Sequence, residues 1–261
     1  MRFRRRSHRG SSANSRPSRH FRSLGPDSRL TRGLTLWGIA GFVVLVPFGV
    51  LLALVRSHSS GLQDFDQSVG RGTHDLVIDH HWLVRVLDDV STAGAPRTFW
   101  VLTAVLAIVL LIRGAGRLAL WAGVTMAGAA LLDNVIKTLA DRARPLFSDP
   151  VASAPGKSFP SGHALESLTG VLILLVVLLP VMRPAWRAVS VSIALVVVAA
   201  IGFARVTLGV HYLSDVVGGW IFAIGWFVAT AAAFRIWRKR VEPYTERGSL
   251  DPAGSERLVK S

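Results

Sequence analysis

The chain of 261 residues has no cysteine. That excludes disulfide frameworks, thiolate-ligated zinc, iron–sulfur clusters and cysteine nucleophiles, and it leaves the redox compartment unmarked. Acidic residues are scarce: 16 Asp and Glu stand against 30 Lys and Arg, a formal net charge of +14. Alone, that imbalance would suggest a nucleic-acid binder. Charge of either sign is missing, however, from several long stretches for which a basic nucleic-acid-binding domain has no use. Hydrophobic residues make up 51% of the chain before its 24 glycines are added. Soluble domains reach only about 45–50% with glycine included. The composition therefore points to a membrane protein.

Residues 1–32 contain ten Arg, many Ser and few large apolar side chains. They cannot bury enough surface to offset the entropy of ordering, and a disordered basic tail is expected. From Gly33 to Val55 the chain runs 23 residues almost wholly apolar and uncharged. That is longer than a signal-peptide core and lacks a small-residue cleavage site after it, so it reads as an uncleaved span. Five more spans are expected: Ser91 or Thr98 to Ile112, Leu118 to Ile136, Ala164 to Met182, Ala188 to Leu208, and Ser214 to Ile236. The second is the weakest, because Thr98 to Ile112 falls short of the ~20 residues a crossing needs. The expected fold is all-α, a six-helix membrane bundle over residues 33–238, followed by a second tail over 239–261. Between the first two spans, Gly61 to Val90 mixes six Asp with Leu76, Val77, Ile78, Trp82 and Leu83. It reads as an amphipathic segment at the membrane surface. His74, His80 and His81 in it are taken as solvated rather than as metal ligands.

Basic flanks stay on the cytoplasmic side. With six spans, 21 of the 30 Lys and Arg fall in the N-terminal tail, the connectors Arg113–Arg117 and Arg183–Arg187, and the stretch after Phe234. Both termini are then expected to be cytoplasmic, in a cell-membrane protein, with the Gly61–Val90 segment extracytoplasmic. Trp37, Trp186 and Trp237 would sit near the inner interface and Trp82 and Trp100 near the outer one. The basic tail is expected to touch anionic lipids at about 1 kcal/mol per cation, not nucleic acid.

Three clusters of polar residues then fall together on the outer side: Lys137 to Pro145, Lys157 to Ala164, and Arg205 to Asp215. Lys137, Arg144 and Arg205 offer an ammonium and two guanidinium forks, suited to the oxygens of a phosphoryl group. Ser161 and Gly162 precede an apolar helix, so their N–H groups can point into an anion site reinforced by the helix dipole. His211 and Asp215 are four apart and share a helix face. The carboxylate can accept one imidazole N–H and leave the other nitrogen free to attack phosphorus. His163, from a different loop, is free to protonate a leaving oxygen. Asp133 and Asn134 stand close enough before Lys137 to hold its side chain. Glu166 can either bond His163 or face a wet cavity, and Asp141 and Arg142 can pair with each other in the loop.

The patterns Lys-x6-Arg-Pro, Pro-Ser-Gly-His and Arg-x5-His-x3-Asp resemble the type 2 phosphatidic acid phosphatase superfamily, over about Leu118 to Ile236. The resemblance implies that His211 is a nucleophile forming a phosphohistidine, that Asp215 orients it, and that His163 is the general acid. It also implies that Lys137, Arg144, Ser161, Gly162 and Arg205 bind the phosphate, with no metal and no cofactor. One departure is Ala204, where the family often has Ser before the third-motif Arg. The expected function is hydrolysis of a lipid phosphomonoester or diphosphate (phosphatidate, phosphatidylglycerophosphate or a polyprenyl diphosphate) at the extracytoplasmic face. The expected partners are that substrate and the membrane lipids. The alternatives are a non-enzymatic lipid-binding or transport protein, and a phosphotransferase of the same superfamily.

Overall fold

The computed structural model describes residue 42, residues 44–147 and residues 150–248, with side chains as far as residue 235. The basic tail, the first half of the Gly33–Val55 run, Trp37 and the Trp237 side chain lie outside the described residues. The described residues are mainly helical, and no strand occurs among them. The helices are α1 (Val44–Arg56), α2 (Ser60–Asp75), α3 (His81–Ala93), α4 (Pro96–Ile112), α5 (Gly116–Ala140), α6 (Gly162–Leu178), α7 (Pro184–Thr207) and α8 (Leu213–Gly248). A 3-10 turn, Leu179–Val181, extends α6.

Five units are long and apolar enough to cross a membrane: His81–Ile112, Gly116–Ala140, Gly162–Val181, Pro184–Thr207 and Leu213–Arg235. The pair α1 and α2, bent by 93° at their junction, brings the number to six if counted as one span. The weak second span resolves into α4, which begins at Pro96 in the first turn, where its missing N–H costs nothing. Helix α8 continues to Gly248, past residue 239 where the second tail was expected to begin.

The bundle is apolar on its outside as well as inside. Val101, Val105, Ile108 and Ile112 form an exposed stripe at helical spacing along α4, and Val189, Ile193 and Val196 do the same on α7. Such surfaces are untenable in water and suited to lipid, which makes this a membrane-embedded, multi-pass protein. Between helices, small residues allow close approach. A Cβ at Gly170 would meet the Phe99 side chain at 2.8 Å, one at Gly128 would meet Trp226 at 2.3 Å, and one at Gly219 would meet the Ser161 carbonyl at 2.9 Å. Helix α6 is central and packs against α4, α5, α7 and α8. One end of the bundle is filled by Phe99, Leu106, Trp121, Met126, Ile173 and Ile201. The other end carries the polar clusters.

The expected amphipathic segment is two helices, α2 and α3. Helix α3 buries Leu87, with Leu83 and Val84, against Ala204 in the last turn of α7 and Leu208 and Val210 just beyond it. His80 and His81 are exposed, as expected. His74 is not: it is buried, and its ring stacks on Phe147 at 4.4 Å. Its place on the inner face of α2, eight residues after Asp66 and four after Gly70, explains the difference.

Candidate functional site

The three sequence clusters meet at one end of the bundle. Helix α5 ends in a left-handed Asp141 (φ 50°), whose N–H bonds the Lys137 carbonyl at 3.1 Å. The chain then enters the loop carrying Arg142 and Arg144. That loop is pinned to the start of α6 by Ser158, whose N–H bonds the Arg142 carbonyl at 2.9 Å and whose hydroxyl bonds that of Ala143 at 3.0 Å. Helix α6 starts at Gly162, and the Ser161 N–H donates to the Asp215 carbonyl at 3.0 Å, tying the second cluster to the third.

The third cluster owes its spacing to a helix-ending turn. Gly209 is left-handed (φ 72°) after α7, with Gly209 N–H on Val206 O at 2.9 Å and Val210 N–H on Arg205 O at 3.3 Å. That is a Schellman end. The His211 N–H also reaches the Arg205 carbonyl, at 3.1 Å, so Arg205 and His211 are clamped to each other through the backbone.

Lys137 is held by Asp133 at 2.5 Å, and a Cβ at Gly162 would come within 3.1 Å of both the Lys137 Nζ and an Asp133 oxygen. The ammonium is therefore packed against the first turn of α6, and only glycine leaves room for it. Asn134 takes no part, since it is exposed and donates to the Ala130 carbonyl. Arg144 lies across the nucleophile candidate: its Nη1 donates to Val210 O at 2.7 Å and contacts His211 Nε2 at 3.0 Å, while Nε and Nη2 hold the Pro155 and Gly156 carbonyls. A guanidinium can only donate, so Nε2 must present its lone pair and the ring proton sits on Nδ1. Nδ1 faces Asp215 Oδ2 at 3.4 Å. Arg205 Nη1 donates to Ser91 Oγ at 2.7 Å, and its Nε, like Ser161 Oγ, has no hydrogen-bond partner among the described residues. His163, in the first turn of α6, lies within electrostatic range of Arg205, His211, Lys137 and Arg144.

His211 is buried, and burial pushes its pKa down to about 4; Asp215 opposes that shift, and Arg144 and Arg205 add to it. The ring is therefore neutral at pH 7. Burial likewise lowers Arg144, which stays cationic at any relevant pH.

Two minor expectations change. Asp141 does not pair with Arg142: it pairs with Lys157, and that pairing lowers the pKa of its exposed carboxyl. Arg142 turns inward to Asp66 and Asp215, each at 2.7 Å. Glu166 is buried and accepts from Trp100 Nε1 at 2.7 Å, rather than facing a wet cavity. Asp66 and Arg142 were not singled out from sequence as site residues. The available signal was the position of Asp66 on the inward stripe of α2, where an aliphatic residue belongs.

A cavity of about 590 Å3 opens beside the cluster, lined by Arg144, Phe147 and Tyr212 on one wall and by Gln67, Arg71 and His74 of α2 on the other. An imidazole set between a carboxylate and the Arg144 guanidinium, with Arg205 nearby, at the end of a membrane bundle, fits a membrane enzyme of phosphoryl chemistry.

Comparison with known proteins makes the class specific. Residues 118–240 match the model of the PAP2 superfamily. Phosphatidylglycerophosphatase B of Bacillus subtilis (strain 168) is 30% identical over 193 residues, covering 70% of this chain and 88% of the relative. The fold is similar to the crystal structure of a transmembrane PAP2 type phosphatidylglycerolphosphate phosphatase from Bacillus subtilis, with TM-score 0.66 and 23% identity over 77% of this chain and 96% of that one. The chain belongs to the PAP2 superfamily and is a membrane phosphatase of that type.

Proposed function

We propose that the protein hydrolyses a lipid phosphomonoester or diphosphate at the extracytoplasmic face of the cell membrane, through a phosphohistidine on His211. The observation that carries this reading is the 3.0 Å contact from Arg144 Nη1 to His211 Nε2, with Nδ1 turned to Asp215. It sets a nucleophilic lone pair among the cations that would hold the phosphoryl group.

Lys137, Arg144 and Arg205, with the Gly162 N–H and the Ser161 hydroxyl, neutralise the phosphoryl oxygens, as metal ions do in other phosphoryl-transfer enzymes; the Ser161 N–H, expected in that role, is committed to the Asp215 carbonyl instead. His211 Nε2 attacks phosphorus and the P–O bond to the lipid breaks. His163 donates a proton to the departing oxygen, giving the lipid alcohol or monophosphate. The phosphoryl-imidazole carries positive charge, which Asp215 stabilises through Nδ1–H. His163 then takes a proton from water, the hydroxide attacks phosphorus, the N–P bond breaks, and inorganic phosphate leaves with His211 restored.

A lipid substrate fits an anion site at the ends of membrane helices, where a headgroup can sit while the chains stay in the bilayer. The name of the similar enzyme makes phosphatidylglycerophosphate the first candidate, with phosphatidate and polyprenyl diphosphates next. The distribution of Lys and Arg supports cytoplasmic termini and an extracytoplasmic site.

The test is phosphate release by purified protein in detergent, with a chelator present, across those three substrates. The reading expects turnover of at least one of them and none by His211→Asn. Full activity of that variant sinks it.

A further inference from the structure

Behind the nucleophile lies a line of buried charge with no direct path to the phosphate. Asp66, on α2, is fully buried. It accepts from Arg142 Nη2 at 2.7 Å, from the Ser214 N–H at 3.0 Å and from the Ser214 hydroxyl. Arg142 Nη1 donates to Asp215 Oδ1 at 2.7 Å and to Ser214 Oγ at 2.6 Å, and the guanidinium lies over the Tyr212 ring at 4.1 Å. Asp215 accepts in addition from the Tyr212 N–H at 2.9 Å. One guanidinium is thus shared between two buried carboxylates, one of which faces His211.

The arrangement has a physical logic. A buried carboxylate needs a counter-charge and filled acceptor positions, and Arg142 supplies both to Asp215. A cation bound to Asp215 alone, however, would draw the carboxylate toward itself and away from His211. Asp66 divides the pull of the guanidinium, holds its far nitrogen, and accepts the Ser214 N–H in the first turn of α8, one residue before Asp215. A buried Asp on α2 has no other use on the page, since packing alone would favour an aliphatic residue there.

We propose that Asp66 and Arg142 are positioning residues, a relay through which the surface helix α2 holds Asp215 in place against His211. The proposal rests on the reading of His211 as nucleophile and Asp215 as its orienting group. His211 is faced by Asp215 from α8, Arg144 from the loop after α5, Arg205 from α7 and His163 from α6. Arg142 stands behind Asp215.

The experiment compares Asp66→Asn, Arg142→Gln, the double variant and His211→Asn with the parent, as full-length protein in detergent on phosphatidylglycerophosphate, with monodispersity as the folding check. Asp66→Asn and Arg142→Gln should each lower kcat about a hundredfold, with KM within about threefold, as misplacement of a reacting group does. Removing the cation should raise the acid limb of kcat, which His211 sets, by about one pH unit. Removing the Asp66 charge should not raise the limb, and the double variant should return it to the parent position while kcat stays low. Equal pH profiles in all variants mark a merely structural role and overturn the proposal, as does an Asp66→Asn variant with parental kcat. If a charge-removing variant does not fold, Arg142→Lys carries the test. It keeps the charge and loses the fork, so kcat should fall with the limb unmoved, and parental kcat overturns the relay. Turnover by His211→Asn defeats the underlying nucleophile reading instead, so the two failures are distinguishable.

Discussion

Replacing Asp215 by Asn is nearly isosteric and removes the acceptor on which three donors converge. His211 Nδ1 approaches at 3.4 Å, the Tyr212 N–H at 2.9 Å and Arg142 Nη1 at 2.7 Å. An amide has one acceptor oxygen. If it serves Arg142, the amide N–H2 faces His211, and the ring can accept from it only by moving its proton to Nε2. The nucleophilic lone pair is then gone. If the oxygen serves His211, the N–H2 meets the guanidinium, and a charge-assisted bond of about 1.5–3 kcal/mol is lost. In either case the positive phosphoryl-imidazole loses its counter-charge. A wrong tautomer behind a catalytic imidazole costs roughly 10^3- to 10^4-fold, about 4–5.5 kcal/mol in the barrier. The assay is the initial rate of phosphate release at saturating lipid by the monodisperse variant. A kcat within about tenfold of the parent, less than 1.4 kcal/mol of barrier, would refute the role given to Asp215.

Other perturbations follow from the same geometry. Gly209→Ala places a Cβ at φ 72°, 2.8 Å from the Phe147 ring, and should cost about 1–3 kcal/mol, read as a lower Tm together with reduced kcat. Asp133→Asn removes the partner of Lys137 (2.5 Å) and should weaken inhibition by a phosphate analogue such as vanadate about tenfold, more than it lowers kcat. Because burial pushes His211 down to about 4, its nucleophilic form persists through mild acid, and kcat should not fall with a midpoint near the ordinary histidine value. For stability the sign is opposite to that of a stabilised imidazolium. The unfolded chain binds the proton from about pH 6.5 downward while the native ring does not until about 4, so up to about 3 kcal/mol is lost as pH falls across that window. Chemical denaturation at pH 7 and at pH 5, compared with His211→Asn, measures it.

The membrane class, the helix order and the meeting of the three clusters were legible because each rests on local signals. Runs free of charge mark the spans, and the basic connectors between them put the three polar clusters on one side. The hold of Asp133 on Lys137 was readable from its i,i+4 spacing. Asp66 and Arg142 were not, because their meaning depends on which face of α2 turns inward and on a contact 76 positions apart in sequence. Asp141 and Arg142, adjacent in sequence, looked like partners. The left-handed residue at Asp141 sends them in opposite directions, one outward to Lys157 and one inward to Asp215. Glu166 and His74 were misjudged for a related reason. Aromatic neighbours from other elements, Trp100 and Phe147, cover them, and no periodicity reports that.

The most direct measurement is of the covalent intermediate. Substrate labelled in its terminal phosphate is mixed with enzyme, quenched in alkali, where phosphohistidine survives, and the label is mapped by mass spectrometry. The predicted result is a phosphoryl group on the peptide containing His211, accumulating when His163 is replaced and absent from His211→Asn. Turnover with no labelled enzyme, or label on any residue other than His211, would contradict it.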